Sequence, residues 1–192
     1  MLHSYPVTIR DLSAVSTWLE QQVAPPDVRR GYVGRIPMLN QWAILERLGV
    51  DMSVNKNFNV LQAWFPSKDP IEIHSDSSPF SGHVQRSLII PIKNCGQLTW
   101  SWYKCTDESK MFQQDAKGQY NTVPMLPFDA AEVIETRLCD QPFVADIGTW
   151  HSLCNASAEP AQLISIRILP WATHSWDQEP TLPPLGSSVI SF

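Results

Sequence analysis

Arg86-Ser87-Leu88-Ile89-Ile90-Pro91-Ile92-Lys93-Asn94-Cys95-Gly96-Gln97-Leu98-Thr99-Trp100-Ser101-Trp102-Tyr103-Lys104 reads as a strand, a tight turn and a second strand. Branched and aromatic residues dominate both arms, and Asn94-Cys95-Gly96 supplies the turn. On the second arm Thr99, Ser101 and Tyr103 share one face, opposite Leu98, Trp100 and Trp102. The polar set is expected to line an interior, with an ordinary strand that buries its aromatics and solvates its hydroxyls as the open alternative. The same signature recurs on either side. Phe58 to Phe65, a short Ile71-Glu72-Ile73 running into His74, Glu132 to Leu138, Phe143 to Ile147, His151 to Asn155 and Gln162 to Leu169 bring the total to about eight short strands. The polar excursion from Thr106 to Asn121, carrying Gly118, is expected to be a mobile loop beside the site.

Ahead of the strands the period is helical. Asp11 is a candidate N-cap for a helix through Leu12, Val15, Trp18, Leu19 and Val23, ended by Pro25-Pro26. A loop containing Arg29, Arg30, Gly31 and Gly34 follows, and Pro37 opens a second helix from Met38 to Leu48, stopped by Gly49. Its expected sticky face is Leu39, Trp42, Ala43, Leu45 and Leu48. Helices first and closely spaced strands afterwards fit an α+β protein, mainly β, dominated by a barrel or sandwich. With 192 residues and no linker, one domain is expected. Residues 1–56 would be helical support, 57–170 the β core and 171–192 a proline-rich extension wrapping the outside. Trp171 and Trp176, around His174, could form a lid but are expected to cover a sheet edge.

A formal net charge of −5 argues against nucleic acid or an anionic membrane as partner. No apolar run approaches the length that crosses a bilayer. The start of the chain lacks the apolar segment of a secretory leader, and Cys95, Cys105, Cys139 and Cys154 form no CxxC pair. Reduced cysteines in a cytoplasmic protein are therefore expected.

The chemistry gathers at His74-Ser75-Asp76. Period-2 spacing puts an imidazole and a carboxylate on one side of an extended segment. His151, placed after the Gly148-Thr149-Trp150 turn, could complete the three-ligand face found in non-haem Fe(II) oxygenases. The bland alternative has His74 capping a strand, Asp76 closing an Asx-turn and His151 as a satisfied barrel histidine. On the last long strand Ile164, Ile166 and Ile168 form one face, so Ser165 and Arg167 point the other way. If the isoleucines pack under the helices, the guanidinium enters the barrel and needs an anion, which could be a keto acid or a barrel carboxylate such as Asp146.

The order His74-x-Asp76, Arg86-Ser87-Leu88-Ile89-Ile90-Pro91-Ile92-x-Asn94-Cys95, Thr99-x-x-x-Tyr103, His151 and Ser165-Ile166-Arg167 resembles the Fe(II)/2-oxoglutarate-dependent oxygenase superfamily. It is most similar to small bacterial and phage members related to aspartyl/asparaginyl β-hydroxylases. The resemblance covers roughly residues 57–170 and implies a double-stranded β-helix, a jelly-roll or cupin-like barrel. It further implies Fe(II) at His74, Asp76 and His151, 2-oxoglutarate as cosubstrate and O₂ as oxidant. The implied activity is an oxidoreductase, a dioxygenase that hydroxylates a small-molecule or peptide substrate. In these proteins the cosubstrate arginine commonly lies nearer the second histidine, close to Ala161 here. Arg167 keeps the same strand face one layer deeper, with Ser165 assisting. Arg86 is the second candidate, and Tyr103 a possible donor to the keto acid. The presence of Asp76 disfavours a halogenase. Two rivals stay open: a metal-dependent cupin-type isomerase or lyase, and a catalytically silent barrel acting as a binding subunit.

Overall fold

The structure is a computed structural model describing residues 3–9, 12–22, 32–36, 38–47, 58–66, 70–76, 86–115, 122–168 and 189–190. In chain order these form β1 (Ser4–Pro6), β2 (Thr8–Ile9), α1 (Leu12–Gln22), β3 (Tyr32–Arg35), α2 (Met38–Arg47), β4 (Phe58–Phe65), β5 (Ile73–His74), β6 (Arg86–Lys93) and β7 (Leu98–Cys105). After these come β8 (Phe112–Asp115), β9 (Thr122–Leu126), β10 (Ala131–Leu138), β11 (Phe143–Asp146), β12 (His151–Asn155), β13 (Ala161–Ile168) and β14 (Val189–Ile190).

Eight of these strands make a double-stranded β-helix. β4 pairs with β13, β5 with β12, β6 with β11 and β7 with β10, all antiparallel, so that first meets last and each inner pair nests inside the previous one. The ribbon so formed folds into two sheets, β1-β11-β6-β13-β4-β3 and β10-β7-β12-β5-β9-β8. The β6–β7 reversal needs one residue in the left-handed region. Asn94 takes it at φ 55°, a conformation asparagine tolerates better than most side chains, while Gly96 sits inside the following 3₁₀ turn.

Strand alternation builds two large cores and a small third one of Ile73, Tyr103, Leu126 and Ala130. Phe65, Ile89, Leu98, Trp100, Trp102, Phe143, Leu153 and Leu163 pack between the sheets. Val60, Leu88, Ile90, Ile164 and Ile166 face the opposite way and meet Leu19 of α1 and Ile44 and Leu45 of α2. Each such side chain contributes about 1.5–3 kcal/mol on burial. The expectation that the isoleucines of β13 lie under the helices holds for Ile164 and Ile166.

Several expectations are corrected. Among the described side chains of α2, Leu45 is buried as expected, together with Gln41 and Ile44, whereas Trp42 is exposed at 48% and Ala43 is exposed; the side chains of Leu39 and Leu48 lie outside those described. Gln41 accounts for the rotation: its amide donates to Ile36 O at 2.6 Å and its carbonyl accepts Val60 N–H at 3.0 Å, tying helix to sheet. Residues 1–56 also supply strands, since β1 and β3 occupy the two edges of the first sheet. The polar excursion is partly a hairpin, with β8 pairing β9 beside β5. Cross-strand pairing satisfies its backbone even though its side chains are polar. On β7 the tryptophans, not the hydroxyls, face the interior, because burying two indoles outweighs lining the barrel with Thr99 and Ser101. Of the C-terminal stretch only β14 is described, pairing in parallel with β2. Asp11, Pro37, Gly49, His83, Trp171, His174 and Trp176 lie outside the described residues.

Candidate metal centre

The register places the two histidines. β5 is two residues long, and its only partner on β12 sets His74 directly opposite His151. The rings are 4.5 Å apart between centroids and tilted by 53°. Asp76 follows after one buried residue, Ser75, and its amide donates to Ile147 O at 2.9 Å. One ligand atom from each of His74, Asp76 and His151 lies within 4.8 Å of the others. Sequence reasoning singled out these three, and the fold brings them together.

Hydrogen bonds to the backbone orient both rings. His151 Nδ1 is 2.8 Å from Thr149 O, and His74 Nδ1 is 2.9 Å from Glu72 O. A carbonyl only accepts, so each Nδ1 carries a proton, and in the neutral ring the coordinating lone pair is on Nε2. Trp100 stacks on the His151 ring at 5.0 Å and 22°, which fixes the plane of that imidazole. Burial, then the neighbouring His74, pushes the His151 pKa down to about 4. A neutral imidazole is what a metal ion binds. For Asp76, burial opposes ionisation, but the Arg167 guanidinium and then the two imidazoles more than offset it and hold the carboxyl below its ordinary value. Two imidazoles and one carboxylate are a ligand set that suits a divalent transition metal and would leave the rest of its coordination sphere open.

The remaining candidates separate by strand face. Arg167 shares the interior face with Leu163 and Ser165, and its Nη2 donates to Asp76 Oδ2 at 2.7 Å. The carboxylate met by this guanidinium is thus the candidate ligand itself, not Asp146. Arg167 Nε is buried with no hydrogen-bond partner among the described residues. Ser165 Oγ is 2.7 Å from Ser87 Oγ inside the barrel. Arg86 is corrected. One residue from Ser87, it belongs to the Leu88–Ile90 face under the helices, where its guanidinium lies over the Tyr5 ring at 5.7 Å. Tyr103 is corrected too. Its hydroxyl meets Ser152 Oγ at 2.9 Å, and its ring packs with Ile73, Leu126 and Ala130 on the outer side of the second sheet.

Sequence reasoning missed Trp100 as a neighbour of the site and Ser87 as the partner of Ser165, and missed the structural task of Asp146. Only the last had a local signal, because Asp-x-Gly-Thr is a turn-forming pattern.

No family model matches the chain, and no curated protein matches it in sequence. Among solved structures it is similar to HygX from Streptomyces hygroscopicus with nickel and 2-oxoglutarate bound, at 9% identity and TM-score 0.48, covering 85% of this chain and 80% of that one. An uncharacterised double-stranded β-helix protein from Klebsiella pneumoniae subsp. pneumoniae is 14% identical with TM-score 0.35, over 80% of this chain and 89% of its own. Oxalate oxidase is 11% identical with TM-score 0.40 over 77% of this chain, which spans 56% of the oxalate oxidase chain.

Proposed function

We propose that this protein is an Fe(II)- and 2-oxoglutarate-dependent dioxygenase that hydroxylates, or otherwise oxidises, an unactivated C–H bond. Its substrate would be an amino-acid-like molecule, a peptide or a natural-product intermediate. The observation that carries the reading is the convergence of His74, Asp76 and His151, with both Nδ1 atoms pinned to backbone carbonyls. These three residues would hold the iron, which with 2-oxoglutarate and O₂ supplies the oxidation of the C–H bond as the keto acid is decarboxylated to succinate. Arg167 would bind the distal carboxylate of the keto acid through donors that Asp76 does not use, with Ser165 assisting. Trp100, stacked on His151, and Trp102 give that side of the site an apolar lining. A net charge of −5 favours a small-molecule or peptide partner over nucleic acid. Among the described residues no helix is long and apolar enough to cross a membrane. All four cysteines are free, which supports a cytoplasmic setting.

The test is anaerobic addition of Fe(II) and then 2-oxoglutarate. A weak visible charge-transfer band, followed by succinate formation on admitting air, is the expected result. The Arg167–Asp76 ion pair favours one second reading, in which the arginine serves only the metal ligand and the enzyme is a cupin-type isomerase or lyase. Iron binding without the band, and turnover without oxygen, would select it. Protein that takes up no metal would be the silent binding barrel.

A further inference from the structure

We infer, on the premise that the triad holds a metal ion, that Asp146 is the positioning residue of that centre. It touches none of the three candidate ligands closely but folds the turn that aims them. Its Oδ1 accepts the Gly148 N–H at 3.0 Å and the Thr149 N–H at 3.2 Å, and its Oδ2 accepts the Thr149 hydroxyl at 2.8 Å. His3 Nδ1 lies 3.5 Å from the same Oδ2. A carboxylate that accepts from the backbone two and three residues on closes the turn and restrains its peptide planes.

Five consecutive carbonyls then go to five different partners. Asp146 O accepts Trp102 Nε1–H at 2.7 Å, and Ile147 O accepts the Asp76 N–H at 2.9 Å. Gly148 O accepts the Ser75 hydroxyl at 2.5 Å, and Thr149 O accepts His151 Nδ1–H at 2.8 Å. Trp150 O accepts the Tyr103 N–H at 2.8 Å. The same turn thus sets the tautomer and tilt of His151 and anchors Ser75 and Asp76 on the neighbouring strand. Without the carboxylate, two buried-side N–H groups lose their acceptor, and Gly148 is free to relax. The spacing between His151 Nε2 and the Asp76 carboxylate is then no longer held. Outer partners that orient metal ligands typically hold about 10–100-fold of the affinity.

Asn155 provides an internal control. It closes the turn at the other end of β12, where its Nδ2 donates to Phe65 O at 3.1 Å and Glu159 O at 2.9 Å, and its Oδ1 accepts the Ser157 N–H at 3.0 Å. It does the same mechanical work on the same strand, far from the triad.

The experiment is anaerobic titration of the full chain, stripped with EDTA, with Co(II) read by visible absorption. Wild type, Asp146→Ala, Asp146→Asn and Asn155→Ala are compared, with near-ultraviolet circular dichroism confirming the fold. Asp146→Ala should bind Co(II) about 10–100-fold more weakly, with a changed ligand-field spectrum. Asp146→Asn keeps the Oδ1 acceptor but loses the Oδ2 acceptor. It should fall between the two, weakened a few-fold, and it decides the question if the alanine variant does not fold. Asn155→Ala should unfold at lower temperature yet keep the wild-type affinity and spectrum. Wild-type affinity and spectrum in both Asp146 variants would overturn the role given to Asp146 while leaving the metal centre standing. Equal losses in Asn155→Ala would reduce it to general stability. Wild type that shows no saturable Co(II) binding would remove the metal reading and this role together.

Discussion

His151 and Asn155 stand at opposite ends of one strand, about 13 Å apart at strand rise, and they use their polar atoms differently. Asn155 spends its amide on Phe65 O, Glu159 O and the Ser157 N–H, all backbone. Around it Asn94 donates to Pro160 O and Cys95 to Gln162 O, again backbone. At the His151 end, backbone carbonyls take the Nδ1–H of both histidines, Arg167 donates to Asp76 Oδ2, and one ligand atom from each of His74, Asp76 and His151 lies within 4.8 Å of the others. Polar side chains that end on backbone close a structure. Ligand-type atoms of three side chains gathered this closely suit a metal ion.

The comparison breaks most visibly at Asp76. Asp76→Ala removes the only carboxylate of the triad and should abolish Fe(II) or Co(II) binding in calorimetric titration, together with hydroxylation. Retained stoichiometric binding would mean that the converging end is no more a ligand site than the other. Leu98→Ala attacks the far end instead. Leu98 is fully buried, and the cavity should cost about 2–5 kcal/mol in chemical denaturation, with the metal affinity of the folded protein unchanged.

Acid sharpens the contrast. His151 is neutral in the fold, with its pKa lowered from 6.5 to about 4. The unfolded chain takes up its proton first, so this contribution is present above pH 6.5 and is lost as pH falls towards 4. It amounts to about 3 kcal/mol, read from urea midpoints of chelator-treated protein. His151→Gln should lack that component. An identical pH slope in the two proteins would remove the buried neutral histidine from the account. The smallest effect is at Arg167. Arg167→Lys keeps the charge and loses the fork, and should weaken 2-oxoglutarate roughly tenfold, about 1.4 kcal/mol. If the dependence on the keto acid is unchanged, Arg167 serves only Asp76.

How much was legible follows from what each signal depends on. The alternation of Ile164 and Ile166 with Ser165 and Arg167 needs only the two-residue period of a strand, so the inward turn of Arg167 is legible in the chain itself. The same period could not say which face of β7 is inside. Leu98, Trp100 and Trp102 oppose Thr99, Ser101 and Tyr103 equally well in either orientation, and both faces are covered near Tyr103. Arg86 failed for a related reason, because one residue of offset from Ser87 changes the side of the sheet.

The sequence by itself determined the local periods, the two helices, the sites of the turns and the three residue types able to share a metal ion. Tertiary structure decided which faces meet, because that choice depends on the summed burial of whole sheets and not on any one strand. It also decided that Arg167 meets Asp76 and that one turn closed by Asp146 holds both ligand segments. Residues 91 and 73 positions apart in the chain have no local signal of their contact. Only the nested pairing of β4 with β13 and β5 with β12 brings them within bonding distance.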